Sequence, residues 1–587
     1  MKTIKEMKKG IKDFVAAVVE QAFGIQLTEL SLNYPPNVEL GDFAIECFPL
    51  AKQLRKSPNQ IAKDLAKAFS GQALIVEAKA TGPYLNLKLS NQALFETACV
   101  EAISSGADFG KSELAADRIM VEYLSPNTNK PLHLGHMRNG CLGMAVSNIL
   151  DATGSEVVKA SLINDRGVHI CKSMLAWQRW GQGATPESTG VKGDHFVGKW
   201  YVKYSQEAEK DVHLDEEVLE MLKRWEAGDE EILECWRMMN DWVYQGFGLT
   251  YDRLGLAFDK IFYESETYKL GKDIIAAGVG KSVFLKDAQG NTVFNLPVSE
   301  FGLDKDGQAK KITVLRPDGT SLYITQDIGT ALMKVTIYNL DRSIYVVGSE
   351  QIHHFKSLFK MLGSLGYEWA KGCYHLAYGM VYLPEGKMKS REGKVVDADN
   401  LMDEMSELAM EEIKKRNHGG TLTEEEIRER GEKIGIGAIK FFLLRVRPQQ
   451  DIYFDPVESI SFDGFTGPYC QYTYARISGI MRNAPSIYQA ATADFSLLGN
   501  LEELQLVQKL IQFEDELAGA AREYNPSRLA IHVFETAKAF NQFYSRHQVL
   551  HNDSRGLTEA RLALVEATGV VIKRGLNLLG IEALEKM

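Results

Sequence analysis

Two histidines in the stretch SPNTNKPLHLGHMRNG, residues 125–140, are the first candidates for chemistry in this sequence. His133 and His136 flank Gly135, after a proline-containing loop and before an apolar run. They could be metal ligands on one helix face, although no third ligand completes a metal-site motif. They could equally begin a helix without any chemical role. As a third alternative, a helix N-terminus after a parallel strand binds phosphate, imidazoles there could donate to its oxygens, and Gly135 would let a base or ribose approach.

A basic loop far downstream, EGKMKSREGKVV at residues 385–396, is the second candidate. Lys387, Lys389, Arg391 and Lys394 are packed among its glycines. Taken alone, the loop reads as a solvated basic turn. A lysine charge on such a loop would also suit phosphoryl or nucleotidyl transfer, because the charge on the departing pyrophosphate must be neutralised.

The segments around the histidines predict a βαβ unit. RIMVEYL at residues 118–124 and VVKASLI at 157–163 read as strands, and a helix is predicted between them, from about Leu132 to Leu150. Strand, helix and strand at this spacing predict a parallel sheet. Later stretches with the same sheet-like composition are SLYITQDIG (321–329) and RSIYVVGSEQ (342–351).

The length of 587 residues indicates several domains, since one domain usually takes about 100 to 200 residues. We predict an α+β domain over residues 1–112 and an α/β domain over 113–460, with a polar, acidic insertion near 181–255. Residues 461–587 have helical periodicity nearly throughout, which predicts a C-terminal all-α helical bundle.

Composition limits the partners and the compartment. The 67 basic and 78 acidic residues give a net charge of -11, so any nucleic-acid contact must come from local basic patches. The 7 cysteines form no C-x-x-C pair, which favours a reducing cytoplasm and argues against structural zinc. We find no apolar window long enough to span a membrane and expect no membrane partner.

Taken together, these motifs resemble a known family. H-L-G-H after the first strand and K-M-K-S in the basic loop resemble the two signatures of class I aminoacyl-tRNA synthetases, whose catalytic domain is a Rossmann-like sheet. VEYLSPNTNKPLHLGHMRN, NDRG, YITQDIGTA, VGSEQIHHF and the final RLALVEATGVVIKRGLNLLGIEALEKM are similar to arginyl-tRNA synthetases, in that order and essentially from end to end. The resemblance implies ATP-dependent ligation of L-arginine to tRNA(Arg) through an arginyl-adenylate.

The resemblance also implies an arginine pocket. A planar guanidinium prefers carboxylates that it can engage bidentately. Asp327 would form the main ion pair, with a hydrogen bond from Tyr323 and a second negative charge from Glu122. Asn127 and Gln351 would orient the α-amino and carboxylate end of the substrate. From the residues alone, Tyr323 could be an ordinary strand aromatic and Glu122 a solvated carboxylate, whereas Asp327 precedes a glycine in what we predict to be a strand-to-helix turn, where such sheets bind ligands.

For the nucleotide, the resemblance implies catalysis by positioning and charge stabilisation, without a covalent enzyme intermediate. His133, His136 and Lys387 would contact phosphates, and Gly135 would lie under the adenosine. The loop departs from the usual K-M-S-K-S, because this chain has Lys387, Met388, Lys389, Ser390 and then Arg391. The resemblance implies that Lys130, just before the first signature, compensates for the displaced lysine, and Lys389 and Arg391 stay open as the residue that contacts phosphate. Magnesium is expected with ATP, without a dedicated ligand cluster.

The tRNA-binding residues depend on the resemblance. The N-terminal domain would read the D-arm, with Tyr84 stacking on an unpaired base and Asn86 reading its edge. The C-terminal domain would hold the anticodon loop through Tyr472 and Arg476, one helical turn apart, and through the terminal Met587. Tyr84, Asn86 and Tyr472 could instead be packing residues. Family members are mostly monomers, so we expect a monomer.

Two other functions stay open from the sequence. One is another class I synthetase or a small nucleotidylyltransferase with H-x-G-H. The latter would not need the helical C-terminal domain, and cysteinyl or methionyl relatives usually carry zinc-ligand cysteines, which are absent here. The other is a tRNA-binding protein without catalysis. Such a protein should show damage in the two signatures, and apart from the displaced lysine both persist.

Overall fold

The computed structural model describes residues 3–26, 30–69, 74–112, 116–383, 396–416, 422–485, 488–550 and 554–587. The chain folds into two units. The first comprises residues 1–112, 461–520 and 528–587, and the second comprises 113–460 and 521–527. Among the described residues, no helix is both long and apolar enough to cross a membrane.

The beginning of the chain is an α+β arrangement, as predicted. An antiparallel sheet in the order β1-β3-β2 packs with helices, and YLNLKL is its central strand. The first helix begins at a capping box formed by Thr3 and Glu6 and buries Ile4, Met7 and Ile11 along one face. The elements are α1 (Ile4–Phe23), β1 (Phe43–Glu46), α2 (Phe48–Leu54), α3 (Pro58–Ala68), β2 (Ile75–Thr81), β3 (Tyr84–Leu89) and α4 (Asn91–Ser105).

The second unit is built on a five-stranded parallel sheet in the order β11-β10-β4-β5-β6. Its central strands are almost fully buried, as expected of a sheet covered on both faces. The elements are β4 (Arg118–Glu122), α5 (Leu134–Ala152), β5 (Glu156–Ile163), α6 (Val168–Trp180), α7 (Pro186–Thr189), α8 (Gly193–Ala208), α9 (Leu214–Glu226), α10 (Glu230–Arg253), β6 (Lys260–Tyr263), α11 (Glu264–Thr267), α12 (Lys272–Gly280), β7 (Leu285–Lys286), β8 (Thr292–Asn295), α13 (Val298–Phe301), β9 (Lys311–Leu315), α14 (Tyr323–Tyr338), β10 (Arg342–Gly348), α15 (Ile352–Ser364), β11 (Cys373–Tyr378), β12 (Val381–Tyr382), α16 (Ala398–Arg416), α17 (Glu424–Leu444), β13 (Ile452–Tyr453) and α18 (Pro456–Ser459).

One segment of this unit differs from the prediction. The stretch SLYITQDIG was expected to belong to the sheet, but α14 begins at Tyr323 and continues to Tyr338. Ile324, Ile328 and Ala331 are buried at spacings of four and three, which is the pattern of a helix face. A short apolar run at a helix start resembles a strand in sequence. The spacing of buried residues over the longer segment shows that this one is a helix. Asp327 therefore lies in the second turn of a helix and not in a strand-to-helix turn.

The end of the chain is helical, which confirms the predicted bundle. Its last helix is buried on most sides, and the buried residues include Leu562, Val565, Ile572 and Leu576. The elements are α19 (Gly467–Arg482), α20 (Leu501–Glu523), α21 (Ser527–Arg546) and α22 (Arg555–Leu578).

Candidate active site

Three of the predicted arginine-pocket residues, Glu122, Asn127 and Gln351, lie at or just after the carboxyl ends of the neighbouring strands β4 and β10. From β4 the chain continues through α5 to β5, and from β10 it continues through α15 to β11 on the opposite side. The neighbours β4 and β10 therefore form a topological switch point, where open α/β sheets bind ligands. A cavity of about 910 Å³ opens at this edge and is lined by Asn127 after β4, Arg166 after β5 and Tyr323 at the start of α14.

The rim of this cavity carries basic side chains in spite of the acidic net charge. Lys269, Lys272 and Arg316 are exposed there, and Arg166 is half-buried. The wall also holds a buried acid, Glu264, whose pKa is raised to about 7 by burial while the Arg166 charge opposes the rise. The local positive charge that the composition required for an anionic ligand is present at this edge.

His133 and His136 form the N-terminal cap of α5. The His133 Nδ1 accepts from the Gly135 amide at 3.1 Å, and the His136 Nδ1 accepts from the His133 amide at 3.2 Å. The two rings stack with centroids 3.8 Å apart. Because a neutral imidazole carries one proton, both rings then hold it on Nε2. The pair thus has two N–H donors to offer at a helix N-terminus, as the phosphate alternative requires.

Both histidines are neutral near pH 7. Burial, with the nearby Lys130 charge adding to it, lowers the pKa of His133 from 6.5 to about 4. Burial also lowers the pKa of His136 well below its ordinary value, and the nearby His133 and Lys130 add to that shift. The two Nδ1 atoms are occupied by backbone amides, which argues against shared metal ligation. Within the described residues, the ligand atoms of Asp194, His195 and Asp399 lie close together, but the Lys192 ammonium already contacts the two carboxylates, so we assign no metal there.

The cap itself gives a steric reason for a glycine at position 135. A Cβ at this position would lie 3.0 Å from the His133 Cε1 and 3.1 Å from its Nδ1. The stacked capping geometry therefore leaves little room for a side chain. Lys130, four residues before Leu134, is exposed.

Asp327 is held by a histidine in this structure. Its Oδ2 lies 2.7 Å from the Nε2 of His354, in the first turn of α15. Tyr323, one turn before Asp327, is 74% exposed, and Gln351 at the N-terminus of α15 is also exposed. Asn127 is half-buried and pairs through a single bridge with Asn164, which follows β5.

Glu122 is also paired. The Lys334 ammonium forms a buried ion pair with its carboxylate, and the Lys334 side chain is 2% exposed. Lys334 lies seven residues after Asp327, two turns along α14, so the two side chains share a face. Burial raises the pKa of the Tyr345 hydroxyl, and Glu122 and Asp327 both add to the rise. The charges of both carboxylates of the predicted pocket thus act on Tyr345, which lies on β10.

Four residues that the sequence reasoning missed support these groups. The buried Arg138 guanidinium donates to the carbonyls of Gly379, Met380, Pro448 and Gln450. Asn139 accepts from the Leu124 amide and donates to the Val346 carbonyl, which ties α5 to the ends of β4 and β10. The other two are Lys334 and His354. Polar residues within an otherwise apolar helix were the available signal for Arg138 and Asn139, because buried polar groups need partners.

The lysine loop cannot be placed. Lys387, Met388, Lys389 and Ser390 lie outside the described residues. The segments on either side are described. Before it, β12 pairs with β13 in parallel, and after it the Val396 carbonyl accepts from the Leu134 amide at 2.9 Å.

The predicted D-arm residues lie on the central strand of the N-terminal sheet. Tyr84 is 37% exposed, and its ring makes an edge contact with the exposed Phe48, with centroids 6.2 Å apart. Asn86 is 4% exposed and its Nδ2 donates to the Thr81 hydroxyl at 3.0 Å. The exposed aromatic pair is accessible to a base, whereas the Asn86 amide is occupied.

The predicted anticodon residues contact each other on α19. The Arg476 guanidinium lies 4.9 Å from the centroid of the half-buried Tyr472 ring, and it donates to Asn541. The half-buried Met587 ends a tail that is held against α19. There the Gln471 Nε2 donates to the Glu582 carbonyl at 2.8 Å, and Arg482 donates to the Glu585 carbonyl at 3.0 Å.

Comparison with known proteins matches three family descriptions along the chain. Residues 99–455 match "tRNA synthetases class I (R), catalytic domain". Residues 5–89 match "Arginyl tRNA synthetase N terminal domain", and residues 470–587 match "DALR anticodon binding domain".

Full-length relatives agree with these matches. An arginine–tRNA ligase of Porphyromonas gingivalis is 42% identical over 98% of this chain and 99% of its own length. One of Treponema denticola is 43% identical over 95% of both chains. The solved arginyl-tRNA synthetase of Thermus thermophilus superposes with a TM-score of 0.81 at 27% identity, covering 99% of this chain and all of that one. The chain therefore belongs to the arginyl-tRNA synthetase family of class I aminoacyl-tRNA synthetases.

Proposed function

We propose that this chain uses ATP to activate L-arginine as arginyl-adenylate and then transfers the arginyl group to the terminal ribose of tRNA(Arg). Membership of the family makes it an arginine–tRNA ligase. The observation that carries the two-step reading is the arrangement of the switch point, where a capped pair of neutral histidines and two carboxylates occupy one sheet edge. The histidines suit an anion and the carboxylates suit a cation, so the same edge has a place for each substrate.

In the first step, the arginine carboxylate attacks the α-phosphate of ATP and pyrophosphate leaves. The Nε2–H groups of His133 and His136 donate to phosphate oxygens as charge builds there. Lys387 neutralises the pyrophosphate, with Lys130 or Lys389 taking the place of the displaced loop lysine, while Met388 and Ser390 complete the signature. ATP enters as its Mg²⁺ complex, and we propose no structural zinc.

The guanidinium binds at Asp327, where it replaces or shares the His354 imidazole. Tyr323 adds a hydrogen bond from its exposed position, and Asn127 and Gln351 orient the α-amino and carboxylate end. Glu122 contributes less than the sequence suggested, because Lys334 already neutralises much of its charge. This assignment gives Asp327 the main role in selecting arginine.

The tRNA is bound through both ends of the chain. We propose that residues 1–112 bind the D-arm with Tyr84 and Asn86. Since Asn86 is hydrogen-bonded internally, base reading through it requires that its amide leave Thr81. Residues 461–587 bind the anticodon loop with Tyr472, Arg476 and Met587, and residues 113–460 carry the catalysis. All seven cysteines are free, which supports a reducing cytoplasm, and a monomer stays our prediction.

ATP–pyrophosphate exchange with each standard amino acid, with and without tRNA, tests the proposal. We expect exchange with arginine alone. Exchange with another amino acid would refute the specificity, and no exchange under any condition would favour a binding protein without catalysis.

A further inference from the structure

A partly buried polar cluster joins the acidic insertion to the segment that begins α16. Lys192, at the N-terminal cap of α8, donates to Asp399 at 2.6 Å and to Thr250 of α10 at 2.5 Å, and it lies 3.3 Å from Asp194. The His195 Nε2 lies 3.0 Å from the Asp399 Oδ2 and 3.5 Å from the Asp397 Oδ2. We call these six residues the anchor cluster. Its permanent positive charge is the Lys192 ammonium, which already engages two of its three carboxylates.

The segment held by the anchor cluster is paired with the histidine signature. The Leu134 amide donates to the Val396 carbonyl at 2.9 Å, and the Ala398 amide donates to the Leu132 carbonyl at 3.0 Å. His133 and Asp397 thus face each other across a short antiparallel bridge. The backbone on both sides of His133 is therefore hydrogen-bonded to Val396 and Ala398, the two residues that flank Asp397 of the anchor cluster.

Helix α8 also contacts the other side of this bridge. A Cβ at Gly198 would lie 2.8 Å from the Cδ of Pro131 and 3.5 Å from the Cα of Lys130, so the helix backbone touches the loop that precedes His133. The helix is in turn seated closely on α10, since a Cβ at Gly193 would lie 1.8 Å from the Trp242 carbonyl oxygen. One helix of the insertion therefore supports both strands of the bridge.

We infer that the acidic insertion positions the nucleotide-binding histidines, with Lys192 and His195 as positioning residues that act on His133 through Asp397 and Asp399. The inference rests on the proposed function. It gives the insertion a role in ATP binding that the sequence did not indicate. The residues do not touch the reacting atoms, so their loss changes the placement of His133 and leaves the arginine pocket intact.

The anchor cluster should make ATP binding depend on pH. The hydrogen bond to Asp399 raises the pKa of His195, although burial opposes the rise. Burial alone would raise the pKa of Asp399, but hydrogen bonds from His195 and Lys192 outweigh it and lower that pKa. The other ionisable groups facing His195 are Asp194 and Asp397, with Tyr251 of α10 next to Asp194. The raised pKa means that pairing with Asp399 stabilises the protonated His195. This stabilisation is complete below pH 6.5, and it is lost as the pH rises through the His195 pKa.

The test uses His195→Phe, which removes the ring nitrogens, and His195→Gln, which keeps an uncharged N–H donor but cannot titrate. For His195→Phe we expect the KM for ATP in arginine-dependent exchange to rise about tenfold or more, because hydrogen bonds to a charged group are lost. The KM for arginine should stay near the wild-type value. For His195→Gln the rise in the KM for ATP with increasing pH should disappear. His213→Phe is the matched control, since the exposed His213 side chain lies in the same insertion and contacts Glu216 at the surface.

Hydrogen exchange of the Leu134 and Ala398 amides provides a measurement independent of activity. Both amides should exchange faster in His195→Phe than in the wild type and the control. Unchanged exchange with an unchanged KM for ATP in a folded His195→Phe overturns the inference, as does a wild-type pH profile in His195→Gln. An equal rise in both KM values would indicate general disturbance and also overturns it. If the wild type shows no arginine-dependent exchange, the proposed function fails, and amide exchange still decides whether the anchor cluster holds the bridge.

Discussion

The two ends of the candidate site are prepared in different ways. At the nucleotide end, His133 and His136 are oriented by the backbone amides of their own helix turn, and their Nε2 atoms keep their protons. At the arginine end, the carboxylates are paired with side chains from other elements, Asp327 with the His354 imidazole and Glu122 with the Lys334 ammonium. A local motif can build the first arrangement, whereas the second exists only after α14, α15 and β4 have packed.

This difference suggests how the two substrates are received. A neutral donor pair can accept an anion without losing an internal partner. A carboxylate that is already paired must exchange or share that partner when a guanidinium arrives, and the cost depends on the partner's burial. The half-exposed His354 can be displaced more easily than Lys334, which is buried.

The largest effect should come from Asp327→Ala. We expect kcat/KM for arginine to fall about 10³-fold, since a guanidinium without its carboxylate loses several kcal/mol, while ATP binding stays near wild type. Exchange kinetics and calorimetric ATP titration measure the two quantities. Asp318→Ala, at an exposed turn of the same unit, is the control. Near-normal arginine affinity in Asp327→Ala would show that the guanidinium binds elsewhere.

Lys334→Met tests the buried pair. We expect the free energy of unfolding to fall by about 3–5 kcal/mol, because Glu122 would keep a buried charge without its partner. Urea unfolding measures the loss, and adding Glu122→Gln should restore most of it. Lys371→Met breaks an exposed pair with Glu368 and should lower the free energy of unfolding much less, because solvent screens that pair. If Lys334→Met and Lys371→Met lower the free energy of unfolding by the same amount, the Lys334 ammonium does not stabilise the Glu122 charge.

His136→Ala tests the nucleotide end. We expect kcat for exchange to fall about 10²- to 10³-fold, as when one preorganised donor to a developing charge is removed. His213→Ala should leave kcat unchanged. A wild-type kcat in His136→Ala would show that His136 does not donate to the developing charge on the phosphate.

The depressed pKa values of this histidine pair also affect stability. Below pH 6.5 the unfolded chain binds protons that the folded His133 does not, so the contribution of His133 to stability should decline as the pH falls toward 4. Urea unfolding of the wild type and of His133→Gln across this range measures it. The pH dependence should be weaker in the variant, and equal slopes would contradict the depressed pKa.

The smallest effect should come from His354→Phe. We expect the KM for arginine to fall by up to about tenfold with little change in kcat, because the guanidinium no longer has to exchange or share Asp327 with the His354 imidazole. Steady-state exchange measures both constants. His353→Phe, its exposed neighbour on α15, is the control. A lower kcat with a higher KM for ATP would mean that His354 serves the nucleotide end instead.

Much of the fold could be predicted from the sequence. The strands at 118–124 and 157–163, the helix between them and the C-terminal helices follow from periodicity, and the structure has them. The strand predicted at SLYITQDIG was wrong, because a short apolar run does not distinguish a strand from a helix start. The division into three domains stays a prediction, and the first and last parts of the chain belong to one unit.

The candidate site was predictable only in part. Asn127 and Tyr323 line one cavity, and Tyr472 and Arg476 contact each other. The partners of the charged residues were not predictable. Lys334 is 212 residues from Glu122 and His354 is 27 residues from Asp327, so nothing local indicated the two pairs. The role of the insertion was hidden for the same reason, since Lys192 and Asp399 are 207 residues apart.

The sequence by itself determined the family resemblance, the βαβ unit around the histidines and the helical C-terminal part, because these depend on short motifs and on local periodicity. Only the tertiary structure decided which charges are already neutralised and which helix supports the histidine signature. Ion pairs and backbone bridges between distant segments depend on how elements pack, and packing is a property of the whole folded chain.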